Sequence, residues 1–142
     1  MPKGGSMPKG KDMNMPKGNT TPKNSQTIRN SIADDATKAA NAKSTGKCAQ
    51  YVRQAVEKAT GKTLTRHNSA KDYGSSLTAA GFQKVSGAPQ KGDVAIYQAV
   101  PGHPHGHIQI YTGSGWVSDF KQKTGVPATA YAGQQYQLYR YN

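Results

Sequence analysis

The period of the apolar residues changes once along the chain, at Gly81, and that single change restricts the folds available to it. Before Gly81, apolar side chains recur at helical spacing. Ile28, Ile32, Ala36, Ala39 and Ala40 predict a helix from about residue 27 to 42, and Val52, Ala55, Val56 and Ala59 form one stripe of a second within "STGKCAQYVRQAVEKATG". Ser44 or Thr45 is placed to cap that second helix and Gly61 to end it, with Cys48 in its first turn. A third, shorter helix is expected in "NSAKDYGSSLTAAG", where Ser69 and Asp72 have the spacing of a capping box and Gly81 is the terminator. After Gly81 the period is two: "FQKV", "GDVAIYQAV", "HIQIYT", "WVSDF" and "QYQLYRY" read as five strands. Helices first and an antiparallel sheet afterwards predict an α+β architecture.

Residues 1–25 stand outside this pattern. "MPKG" occurs at 1, 7 and 15 and "TPKN" at 21, with five lysines set against Asp12 and no apolar face. Proline removes backbone donors, glycine raises the entropic cost of ordering and the lysines repel one another, so a disordered basic tail is expected ahead of one folded domain over 26–142. Such a tail would dock on a delivery apparatus or on an anionic surface. Over the whole chain 19 Lys and Arg face 7 Asp and Glu, a formal charge of +12, which favours an anionic partner: nucleic acid, acidic lipid or cell-wall polymer. Tyrosines could interleave with bases, but on strands they serve core and sheet surface, so no nucleic-acid partner is expected. No apolar run approaches the roughly 20 residues of a transmembrane helix. The amino terminus lacks the apolar stretch of a secretory signal, so a route other than general secretion is expected for work outside the producing cell.

The one cysteine, Cys48, rules out an intrachain disulfide and a cysteine-rich zinc site, leaving a buried thiol or a reactive one. Its place in a first helical turn favours reactivity, because exposed backbone donors and the helix dipole stabilise an anion there and can lower a thiol pKa. The same turn offers a backbone N–H for an oxyanion hole. A nucleophile of this kind needs a base and the base an orienting group. His107 opens "HIQIYT", and "GSG" signals a hairpin to "WVSDF". With the turn at or just past Gly113, His107 faces Asp119 or Phe120, and Asp119 is expected to orient the imidazole.

Metal is the rival reading of "GHPHGHIQIYTG". His103, His105 and His107 alternate, so an extended chain would aim three imidazoles to one side, toward zinc, copper or nickel. Pro101, Gly102, Pro104 and Gly106 describe a loop rather than a ligand platform. His103 and His105 therefore read as exposed loop residues, His67 as a surface or cap residue, and no metal or cofactor is expected.

"GKCAQYVRQAVE" resembles the nucleophile helix of the CHAP and NlpC-type peptidoglycan hydrolases, and "KGDVAIY" followed by "GHIQIYTG" resembles their core strands. The similarity runs from about residue 44 to 120. It implies a papain-like thiol hydrolase that cuts amide bonds of cell-wall stem peptides, with Cys48 as nucleophile, His107 as base and Asp119 in the place of the variable third polar residue. The family's side-chain donor to the oxyanion hole has no evident counterpart upstream of Cys48. In plan the chain is similar to the amidase effectors of type VI secretion systems, and also to phage lysins and some bacteriocins. The effector resemblance implies action in the periplasm or cell wall of a target cell, a cognate immunity protein that plugs the cleft, and a tail that engages the secretion apparatus. The competing class is a non-catalytic basic binding module for nucleic acid or wall polymer.

Overall fold

A computed structural model describes residues 24–41, 47–122 and 131–142. Helix α1 (Ser25–Ala39) starts where the Asn24 side chain accepts the Thr27 N–H at 2.8 Å and buries Ile32, Ala33 and Ala36. Helix α2 (Cys48–Thr60) buries Val52, Ala55, Val56 and Ala59, the predicted stripe, and ends at Gly61, whose φ of 73° is the left-handed stop that glycine adopts without strain. The two helices pack on each other, and α2 packs on β3. The expected caps Ser44 and Thr45, like residues 1–23 of the tail expected over 1–25, lie outside the described residues, while Asn24 and Ser25 cap and open α1.

The third helix is split. A 3-10 turn, Ala70–Asp72, precedes the short helix α3 (Gly74–Ala79), and Ser69 makes no side-chain cap. The capping box fails because Ser69 Oγ is committed elsewhere, to His105 Nδ1 at 2.6 Å. Helix α1 also stops at Ala39, short of the expected residue 42.

Six strands follow: β1 (Phe82–Val85), β2 (Val94–Tyr97), β3 (His107–Tyr111), β4 (Trp116–Val117), β5 (Lys121–Gln122) and β6 (Tyr136–Tyr141). They form one sheet in the order β1-β6-β2-β3-β4-β5, and every neighbouring pair is antiparallel. The helices cover one face, where Ile32, Val52, Val56 and Leu77 meet Val94, Ile96, Ile108 and Ile110. Each such isoleucine or leucine contributes roughly 1.5–3 kcal/mol by burial. The opposite face gathers Ala95, Trp116 and Leu138 with Tyr111 and Tyr136, and by strand alternation His107 and Gln109 belong to it.

Inside the sheet, Asp93 is fully buried and receives a two-pronged bond from Arg140, at 2.8 and 2.7 Å, which ties the entry of β2 to β6. Gly92 before it has φ 90°, and a side chain there would collide with the Arg29 backbone. The Gly-Asp pair is thus a joint between α1 and the sheet.

The β3–β4 hairpin pairs Ile110 with Val117 and Tyr111 with Trp116, a register that would carry Phe120 opposite His107. The ladder stops first. Ser118 N–H donates to Phe120 O at 3.0 Å and the chain reverses into β5, where Val117 pairs with Lys121 and Trp116 with Gln122. The five residues of the predicted fourth strand therefore become a two-residue strand and a tight reversal, and the sheet gains a sixth strand. Asn41 clamps that reversal, accepting from Lys121 N–H and donating its own N–H to Asp119 O, both at 2.9 Å.

Candidate active site

At one end of the sheet an open cleft of about 760 Å³ is lined by Cys48, His107, Asp119, His103, His105 and Tyr131, among others. All three residues expected from sequence to act together are in its wall. Cys48 is the first residue of α2 and half-buried. His107 is the first residue of β3 and 8% exposed. Gly106 sets it there: with φ 69°, it lets the chain pass so close to the Tyr97 carbonyl and Lys71 that no Cβ fits. Lys71 N–H in turn donates to His105 O at 2.9 Å, fastening the histidine loop to the 3-10 turn.

The imidazole's hydrogen-bond partner is Gln122, whereas the sequence points to Asp119. His107 Nε2 is hydrogen-bonded to Gln122 Oε1 at 2.9 Å. Asp119, 1% exposed, instead accepts the Lys47 backbone N–H and the Ser118 hydroxyl, each at 3.2 Å. The reversal at 118–120 is the reason, since it withdraws Asp119 from the strand position facing His107 and turns its carboxylate toward the start of α2. Its charge is still felt by both reactive groups: Asp119 raises the pKa of His107 and that of Cys48. Gln122 lies just beyond the predicted "WVSDF" strand and carries no charge to draw attention. Its signal was the short spacing that lets a second hairpin fold back over the first.

Burial dominates the titration of both groups. It pushes the Cys48 thiol above 9.0, against the backbone amide contacts of Ile108, Ala49 and Cys48, which lower it. The helix start was expected to depress the thiol; withdrawal from water outweighs it. Burial likewise holds His107 below 6.5, more than the Gln122 bond and the Asp119 charge raise it. Both shifts favour the uncharged forms, a protonated thiol and a neutral imidazole in the wall of one cleft.

Tyr131, 2% exposed, walls the cleft, its ring 6.1 Å from His107, 5.2 Å from His103 and 4.9 Å from Tyr97. In the sequence it was one tyrosine among several. The three histidines that alternate in sequence diverge in space: His103 turns to Tyr131, His105 to Ser69 and His107 to Gln122. Among the described residues no group of three His, Cys, Asp or Glu side chains is gathered as metal ligands. His67 joins the cleft wall, its Nε2 2.8 Å from Ser76 Oγ.

The chain matches the CHAP domain model over residues 38–122, a span that contains Cys48, His107, Asp119 and Gln122. No curated protein matches it. Two solved structures of the type VI effector–immunity complex Tae3–Tai3 from Ralstonia pickettii each hold a chain 50% identical to this one. In the native complex the match has a TM-score of 0.76 and covers 80% of this chain and 98% of that one. In the selenomethionine complex the values are 0.73, 78% and 99%. With a cysteine at a helix start, a histidine at a strand start and a family match over most of its length, the chain belongs to the CHAP domain family.

Proposed function

We propose that this protein is a thiol-dependent hydrolase of amide bonds in peptidoglycan peptides, acting as an antibacterial effector on the wall of a target cell. The observation that carries this reading is one cleft in a CHAP domain that holds both Cys48 and His107, with the imidazole anchored through Nε2. The 50% identical chains come from complexes named as type VI effector with immunity protein, which supports the same delivery route and a cognate immunity protein that occupies the cleft. Lys47 and Arg66 on the cleft wall suit a substrate whose stem peptides carry free carboxylates. The basic segment ahead of α1 serves as the contact with the secretion apparatus and the chain from α1 onward as the catalytic domain. No helix among the described residues is long and apolar enough to cross a membrane.

In the mechanism, Cys48 Sγ attacks the amide carbonyl carbon while its proton passes to His107, whose Nε2 is engaged by Gln122, so Nδ1 receives it. Backbone amides at the start of α2 stabilise the oxyanion. The C–N bond breaks as His107 returns the proton to the leaving amine, giving a thioester and a free amine. Water, losing a proton to the same imidazole, then attacks the thioester, and the thiol is regenerated with release of the carboxylic acid. Digestion of purified sacculi followed by mass spectrometry of the muropeptides tests the reading. Loss of one stem-peptide or crosslinked species with gain of its hydrolysed pair is expected; an unchanged profile would contradict it.

A further inference from the structure

Gln109 is an amide with no exposure at all, in the middle of β3 on the face it shares with His107, Tyr111, Ala95 and Trp116. An uncharged amide buried among apolar and aromatic side chains is costly unless its hydrogen bonds are made. Its carbonyl Oε1 accepts from Gln122 Nε2 at 2.8 Å, and Gln122 Oε1 lies 2.9 Å from His107 Nε2. The pair spans β3 to β5 across β4, and it gives the half-buried Gln122, on a two-residue strand at the end of the sheet, a second anchor.

We propose that Gln109 is a positioning residue for the Cys48–His107 pair: through Gln122 it fixes His107 as the tautomer protonated on Nε2, with Nδ1 left to take the thiol proton. This rests on the reading of Cys48 and His107 as nucleophile and base. A carbonyl oxygen can only accept, so the Gln122 NH2 that donates to Gln109 must point away from His107, and the oxygen that remains toward the ring accepts from Nε2–H. With the Gln109 oxygen kept where it is, a flipped Gln122 amide would set its oxygen against the Gln109 oxygen and its NH2 against the ring nitrogen, favouring Nδ1–H, the tautomer unable to accept from Cys48. Gln109 thus decides the protonation site from one side chain further away.

The test combines nitrogen-15 NMR of the His107 ring, which needs no substrate, with sacculus hydrolysis by the full chain. At pH 7.5 the unsubstituted protein is expected to show a single neutral tautomer with the proton on Nε2. Gln109→Met keeps the volume and removes the acceptor; a mixture of tautomers and a kcat about tenfold lower with KM little changed are expected. Gln109→Glu retains an acceptor for the Gln122 N–H and is expected to restore the single tautomer and most of kcat. A proton on Nδ1 in the unsubstituted protein overturns the proposal even if the Met variant does not fold. So does a folded Met variant with its tautomer and kcat intact, or a Glu variant no better than Met. Failure of the unsubstituted protein to cut sacculi counts instead against the proposed hydrolase activity, and leaves the tautomer to be judged by NMR.

Discussion

In the proposed mechanism Cys48 and His107 both start uncharged, because burial raises one pKa and lowers the other. The sign of each shift sets a pH profile. His107, held below 6.5, stays an unprotonated base down to mildly acidic pH, so the acid limb of hydrolysis should fall below the range of a free imidazole. Cys48, held above 9.0, keeps its proton to give until the solution is alkaline. Alkylation by iodoacetamide reads the thiol directly. Its rate is expected to climb with pH through 9.0 and beyond; a flat plateau from acid to neutral pH would show a standing thiolate–imidazolium pair and contradict this account. The sequence singled out Cys48 and His107, which share a cleft wall, and expected Asp119 as the imidazole's partner. It could show a carboxylate near the right register, and could not show that the amide of Gln122 would arrive in its place.

Elements carry these residues, and the joints between elements were the least legible part. The apolar periods gave both long helices and the strands that pair with β3, since each buried stripe needs a face to lie on. They did not give the reversal at 118–120 or the break at Tyr73, because both are decided by contacts from other segments: Asn41 clamping the reversal, and His105 claiming the Ser69 hydroxyl that would otherwise cap a helix. Gly106 is another such joint. Gly106→Ala places a methyl against the Tyr97 carbonyl at a positive φ, so the entry to β3 must shift. The variant is expected to lose stability by roughly 1–3 kcal/mol and most of its hydrolytic activity. Urea unfolding together with sacculus digestion checks it, and a variant equal to the parent in both would show that His107 needs no such support.

For the whole molecule, a small sheet with helices on one face brings a helix start, a strand start and the reversal at 118–120 to a single cleft. The order of those parts along the chain is what made the family resemblance readable between residues 44 and 120, and the CHAP match over 38–122 covers the same ground. The strong positive charge, +12, suits an anionic wall but would equally suit a simple binder, and charge alone did not separate the two. Chemistry does. The most direct measurement is hydrolysis of purified sacculi by the unsubstituted protein and by Cys48→Ala, each shown to be folded by circular dichroism. New muropeptide ends are expected from the first and none above background from the second; cleavage by Cys48→Ala at the parent rate would contradict a thiol-dependent hydrolase.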